Sequence, residues 1–244
     1  DTVGPSGHLF KSISNEALNE VRSAFAEQLG YLLEEGVDAV LFETFRQLAE
    51  LQIALDVFHT MTRGAKAPCS IASVSFDAFG TMADGTGPEA TAKLLADWGA
   101  DVIGVNCADG PAGVYEMATR MLDTRLPMVA QPNAGLPHRV DGRFAYLTTP
   151  EYFLVYGRRM LKAGVRGIGG CCGTTPDHIK QVVAAARMLQ ASSMSEEPGG
   201  GMREDGRERE SLIPNIAPGT VVTPISEKGP IGAKLGKEFI VSVE

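Results

Sequence analysis

Six times between Asp1 and Gln190, a short run of small or β-branched residues gives way to an amphipathic helical stretch, and no other feature restricts the fold as much. The candidate strands end near Gly4, Phe42, Ser75, Asn106, Gln131 and Gly170. Their mean spacing is roughly 33 residues, close to the ~30 of one βα unit in an eightfold barrel. Strands that alternate strictly with helices build a parallel sheet, because a parallel neighbour can be reached only by a crossover. The expected fold class is therefore α/β, a (β/α)8 TIM barrel with about six βα units present. Asp1 is not an initiating Met, and Val3 to Gly7 reads as the end of a strand, so the expected barrel is truncated at its N-terminus by two units.

Helix boundaries are signalled by side chains. Ser14 to Glu35 carries apolar residues at helical spacing and stops at Gly36; Thr149-Pro150-Glu151 opens a helix that stops at Gly164; Thr175-Pro176-Asp177 opens another. A hydroxyl at the cap accepts from an N–H that the first turn leaves unpaired, and Pro in that turn has no N–H to satisfy. The loops just before such starts lie at the carboxyl ends of strands, the face where barrel enzymes keep their chemistry.

After Gln190 the character of the chain changes. Residues 191–236, rich in Ser, Glu, Gly, Arg and Pro with little to bury, are expected to be a flexible linker following a partial barrel over 1–190. Residues 237–244 then read as a strand, expected to open a second domain. A net charge of -8, with no Lys/Arg cluster interleaved with aromatics, argues against a nucleic-acid surface and for small-molecule partners. No apolar run approaches a membrane span, and the start lacks the pattern of a signal peptide, so a cytoplasmic location without membrane contact is expected. Four cysteines are too few for a disulfide scaffold, and in a reducing compartment clustered cysteines point to metal or catalysis.

Three of the four fall at strand ends: Cys107 in GVNCADGP, and Cys171 and Cys172 in GIGGCCGTTPDHI. In a closed barrel such residues converge over the central axis and can share one zinc ion, leaving the fourth tetrahedral position open as in catalytic sites. Other readings stand beside this one. A lone cysteine is often a small buried hydrophobe; a vicinal pair is a redox candidate, although the short Cα separation strains the bridge; glycines between a strand and a helix also suit a phosphate.

GVNCADGP and GGCCGTTPDHI resemble the two zinc-binding signatures of the homocysteine S-methyltransferase family, and GPSG at the start, LFETF around Glu43 and QPNAGLP around Asn133 extend the resemblance over roughly residues 1–190. It implies a (β/α)8 barrel in which Cys107, Cys171 and Cys172 hold Zn2+ and homocysteine receives a methyl group from a small donor, giving methionine. No catalytic residue beyond the metal site is implied. QPNAGLP is similar to the segment in cobalamin-dependent methionine synthases and in bacterial bifunctional proteins that join this barrel to a methylenetetrahydrofolate reductase. GAKLGKEFIVSVE resembles the opening of that reductase's flavin-binding barrel, which implies FAD in the second domain. A fragment of a cobalamin-dependent methionine synthase and a non-catalytic zinc or vicinal-thiol barrel are the alternatives.

For substrate binding, Glu43 follows a strand and precedes a helix, and the resemblance assigns it the ammonium group; a glutamate stabilised by a helix dipole is the plainer reading. Thr44 is a second candidate beside it. Asn106 and Asn133 sit at strand ends, where an amide can orient a substrate carboxylate or a thiolate, or simply tie down its own loop. His178, six residues after Cys172, is the obvious competing ligand, but is expected to point outward from the helix begun by Pro176. His8, His59 and His138 have no companions at ligand spacing, and Cys69, before the strand Ile71 to Ser75, is expected to be a packed thiol at the opposite end of the barrel.

Overall fold

The structure, a computed structural model, describes residues 2–7, 13–64, 67–140, 142–194, 224–235 and 240–241. Strands β1 (Thr2–Val3), β2 (Ala39–Phe45), β3 (Cys69–Val74), β4 (Val102–Cys107) and β5 (Met128–Pro132) alternate with helices α1 (Asn15–Glu34), α2 (Leu48–Met61), α3 (Pro88–Asp97) and α4 (Pro111–Met121). A two-stranded antiparallel hairpin, β6 (His138–Val140) and β7 (Arg143–Ala145), then precedes α5 (Pro150–Ala163), β8 (Gly167–Ile168) and α6 (Pro176–Met194).

All pairings in the main sheet are parallel, in the order β1-β2-β3-β4-β5-β8-β9, with β9 at Ile240–Val241. The order never reverses. An open doubly wound sheet would show a switch point, so this is the wall of a βα barrel, as the repeat predicts. Ser14 and Pro150 act as read, Ser14 Oγ accepting from Ala17 N at 3.2 Å and Pro150 standing in the first turn of α5, which ends on Gly164 at φ 114°; Thr149, however, makes no side-chain cap bond, and Pro88 and Pro111 open α3 and α4 in the same way as Pro150.

The core lies between sheet and helices. Phe42 and Phe58 meet edge to face at 5.7 Å, and both are fully buried with Phe45, Leu51, Leu55 and Ile103. Each such side chain contributes on the order of 2 kcal/mol by leaving water.

Most of the expected linker and second-domain strand, 195–223, 236–239 and 242–244, lies outside the described residues. Of the segment 191–236, read as a linker, residues up to Met194 continue α6, and a 3-10 turn at Ile225–Glu227 leads into a short helix α7, Gly229–Leu235. Ile231 packs on Ala39, Cys69 and Val102, the first residues of β2, β3 and β4, so α7 covers the amino-terminal end of the barrel. Lys228 Nζ reaches Asp101 Oδ1 at 2.7 Å, and Asp101 Oδ2 also accepts from Ser70 N and Oγ at 2.9 Å each. This pairing lets a lysine be buried. Of the strand expected to open a second domain, Ile240–Val241 pairs with β8 in the main sheet, supplying hydrogen bonds to an otherwise open edge. Among the described residues, no helix is long and apolar enough to cross a membrane.

Candidate metal centre

Cys107 is the last residue of β4 and takes a left-handed backbone, φ 62°, followed by Ala108 at φ 60°. Non-glycine residues rarely adopt this conformation; here it turns the chain sharply over the carboxyl end of the sheet. Cys171 and Cys172 follow β8 on a loop stitched to its neighbours. Cys171 N donates to Pro132 O at 3.0 Å, Ala134 N donates to Cys172 O at 2.9 Å, and Thr174 N and Oγ1 donate to Cys171 O at 3.1 and 2.7 Å. Two glycines permit the turn. A Cβ on Gly170 would overlap Thr174, and one on Gly173, at φ 76°, would overlap the Tyr146 ring laid on its backbone.

These two loops bring the three sulfurs together: Cys107 to Cys171 is 3.3 Å, Cys171 to Cys172 3.9 Å, and Cys107 to Cys172 4.0 Å. Among the described residues it is the one group of three or more His, Cys, Asp or Glu side chains able to share a metal ion. Cys171 is buried, Cys107 half-buried and Cys172 exposed, so the cluster opens to one side. Cys171 is the thiol that ionises first. The hydrogen bond from Cys107, opposed by burial and aided by the Cys172 N–H and the Asn106 amide, brings it down to about 6. Cys107 moves the other way, because ionising it would forfeit its bond to Cys171 and place a second charge in a buried cluster.

Asn106, fully buried, braces this arrangement. Its Oδ1 accepts from Thr44 N at 3.0 Å and Ser73 Oγ at 2.9 Å, while its Nδ2 donates to Thr44 Oγ1 at 2.7 Å and points at Cys171 Sγ at 3.9 Å. The amide's whole hydrogen-bonding capacity is thus used within the protein. Thr44 stands at φ 63°, an outlier for a β-branched residue, and lies in an irregularity of the β2–β3 register between Phe42 and Phe45.

Among the described residues, four buried side-chain oxygens lack a partner, and two of them are on the amides and carboxylates considered for the site. Glu43, in the same irregularity, has Oε2 buried without a hydrogen-bond partner; so does Asn133 Oδ1, although its Nδ2 donates to Ala108 O at 2.8 Å. A buried acceptor without a donor is costly unless a ligand supplies one.

His178 corrects an expectation. It does not point outward but is 6% exposed and bonded through both ring nitrogens, Nδ1 to Thr175 and Nε2 to Thr148 O. A helix start read from Pro176 cannot tell which face the next turn presents. Sequence reasoning also missed Tyr146, which the hairpin β6–β7 leads down onto Gly173; burial, and then the charge of the three cysteines, pushes its phenol up. No spacing signal marks it. Cys69 is fully buried at the start of β3, where burial pushes its thiol up to about 12. His138 lies exposed on β6, and His8 lies outside the described residues.

Residues 2–186 match the family described as homocysteine S-methyltransferase. The chain is similar to the methionine synthases of Mycobacterium leprae (strain TN), 34% identical over 187 residues, and of Mycobacterium tuberculosis (strain ATCC 25618 / H37Rv), 33% over 192 residues. These alignments cover 75% and 78% of this chain but only 15% and 16% of those relatives. Among solved structures, the apo form of the homocysteine methyltransferase MmuM from Escherichia coli superposes with a TM-score of 0.55 at 24% identity, over 75% of this chain and 60% of that one. Its metallated form gives 0.53 at 23%, over 75% and 59%. These likenesses show a shared fold.

Proposed function

This chain belongs to the homocysteine S-methyltransferase family, and we propose that its barrel transfers a methyl group to the thiol of homocysteine at a zinc ion held by Cys107, Cys171 and Cys172. The geometry of the three sulfurs carries this reading. Two thiolates each about 2.3 Å from one tetrahedral ion lie about 3.8 Å apart, and the separations of 3.3, 3.9 and 4.0 Å bracket that value. MmuM, a protein of similar fold, has a metallated form, which is in keeping with a metal in this barrel.

A bound zinc ion supplies Lewis acidity that draws the proton from an incoming thiol at neutral pH, while three thiolates keep that sulfur electron-rich. The protein's own residues hold the rest. Asn106 donates toward Cys171 and so favours its ionised form. Glu43 Oε2 and Asn133 Oδ1, both buried without a hydrogen-bond partner, are suited to the ammonium group of an amino acid. Thr44, bonded through both its N–H and its hydroxyl to Asn106, keeps the strand kinked beside Glu43. In the transfer the homocysteine sulfur attacks the methyl carbon, the bond from that carbon to its carrier breaks with its electron pair left on the carrier, and the thiol proton passes to solvent. Orientation of sulfur and methyl group in line supplies much of the rate. The methionine synthases among the relatives support methionine as the product.

The test combines metal analysis with titration calorimetry on the purified chain. About one zinc per molecule is expected, together with homocysteine binding that weakens in Glu43→Gln while metal content stays unchanged. Equal affinity for homocysteine and for its analogue without the amino group would remove Glu43 from the substrate site. Absence of metal would remove the zinc reading.

A further inference from the structure

His178 lies six residues beyond the cysteine pair and takes no part in the chemistry above, yet the fold spends both of its ring nitrogens on main-chain partners from two different loops. Nδ1 is 3.1 Å from Thr175 N and 2.8 Å from Thr175 Oγ1; Nε2 is 2.9 Å from Thr148 O. A backbone N–H can only donate and a carbonyl can only accept, so Nδ1 is bare and Nε2 carries the hydrogen. The ring is also held edge to face by Phe153, with centroids 4.8 Å apart.

The bonds continue on both sides. Thr148 N donates to Ala134 O at 3.1 Å, and Ala134 N donates to Cys172 O at 2.9 Å. The circuit therefore runs from Cys172 through Ala134, Thr148 and His178 to Thr175, three residues beyond Cys172. It closes around the loop that carries two of the three thiols. Ala134 adjoins Asn133, whose side chain bonds the carbonyl of Ala108, next to Cys107. One ring thus ties the Cys171–Cys172 loop to the loop after β5, and through it to the loop of the third thiol.

We propose that His178 is a positioning residue for the three-thiol site: its Nε2–H bond to Thr148 O sets how the loop of Cys171 and Cys172 stands against the loop of Asn133 and Ala134. This inference rests on the metal reading for its significance, but a thiol-binding probe tests it separately. No step of the transfer passes through the imidazole. Its effect is on the spacing and order of the sulfurs before any ligand arrives, as outer partners of metal ligands generally act.

Two conservative substitutions separate the two ends of the ring. Glutamine at 178 can place its amide nitrogen near Nε2 and keep the bond across to Thr148; asparagine can place its oxygen near Nδ1 and keep only the bond to Thr175. In the full chain, His178→Asn is expected to weaken cobalt(II) and zinc affinity by about tenfold and to alter the thiolate charge-transfer bands of the cobalt form, whereas His178→Gln stays within about threefold of the parent with an unchanged spectrum. Phenylarsine oxide, which bridges neighbouring thiols without any metal, should show the same ranking. Denaturant unfolding identifies the variants that remain folded, and Thr175→Val, which removes only the hydroxyl bond, should shift both readouts in the same direction by less. If His178→Asn is folded yet matches the parent in cobalt spectrum, metal affinity and arsenical affinity, the inference is overturned; if it does not fold, parent-like readouts in Thr175→Val together with loss in His178→Gln overturn it. A parent that binds the arsenical but no metal would defeat the zinc reading while the arsenical ranking still decides the role of His178.

Discussion

Asn106 and Thr44 hold each other through both ends of one amide, Oδ1 accepting from Thr44 N at 3.0 Å and Nδ2 donating to Thr44 Oγ1 at 2.7 Å. The two residues come from β4 and β2, and neither strand is adjacent to the other; Ser73 of β3 fills the gap and donates to the same Oδ1 at 2.9 Å. This clasp spans three strands directly below the thiols. It couples a strained residue beside Glu43 to the hydrogen bond that Asn106 extends to Cys171.

Replacing Asn106 by Ala leaves Thr44 N, Thr44 Oγ1 and Ser73 Oγ without their partner in a buried place. The expected loss is about 2–4 kcal/mol of stability, from roughly 1–3 for each buried group left unsatisfied and some relaxation. Asn106→Asp keeps the shape but sets a carboxylate beside Cys171. Metal affinity should fall roughly tenfold, and the Cys171 thiol should titrate above its parent value. Urea unfolding and chelator competition check both; parent-like values in Asn106→Asp would mean that the amide does not act on the thiolate.

In metal-free protein one thiolate should be present at neutral pH and disappear as pH falls through about 6, because the Cys107 hydrogen bond lowers Cys171 to that value. The sign follows from the direction: a depressed acid keeps its charge above its pKa and loses it below. Cys107, raised by the same bond, stays a thiol over this range. Thiolate absorbance in the ultraviolet follows the step, and Cys171→Ala should abolish it. Persistence of the step in that variant would assign the low pKa to another residue.

Single substitution of Cys107, Cys171 or Cys172 by Ser should remove most of the tightly bound zinc, since each thiolate is a large share of the affinity of a three-ligand site. Cys69→Ala should leave metal content at the parent level, because its thiol is buried at the other end of the strand and is pushed up to about 12. Stoichiometric zinc in Cys171→Ser, measured after dialysis against a chelator, would contradict the ligand set.

Lys228→Met should cost about 3 kcal/mol, the lower end for removing one partner of a buried ion pair, because Asp101 keeps its two bonds from Ser70. The lost contact lies at the amino-terminal end of the barrel, so zinc content should not change. Unfolding midpoints and faster proteolysis within 224–235 are the readouts. A variant as stable as the parent would show that α7 contributes little to closing that end.

The repeat, the helix caps and the three clustered cysteines were legible because each rests on local chemistry. Pro150, Pro176 and Ser14 mark helix starts by what a first turn requires, and Gly36 and Gly164 stop helices by accepting a positive φ. The cysteines were legible through their position at strand ends, which a barrel turns into proximity. Other features had no such signal. Whether His178 faces solvent or core depends on how α6 sits against α5. Whether residues 224–235 wander or dock depends on an aspartate 127 residues away.

By itself, then, the sequence determined what is encoded by neighbours along the chain: an alternation of strands and helices, where they begin and end, and which residue types stand at the carboxyl ends of the strands. Only the tertiary structure decided which of those residues touch. It assigned Asn106 to bracing rather than leaving it free, left Glu43 Oε2 and Asn133 Oδ1 with acceptors to fill, and closed a ring of hydrogen bonds through His178. The physical reason is the range of the forces involved. Caps and periodicity act within a turn or two of the chain, whereas hydrogen bonds between loops form only after the sheet has brought together segments such as those 25 and 127 residues apart in sequence.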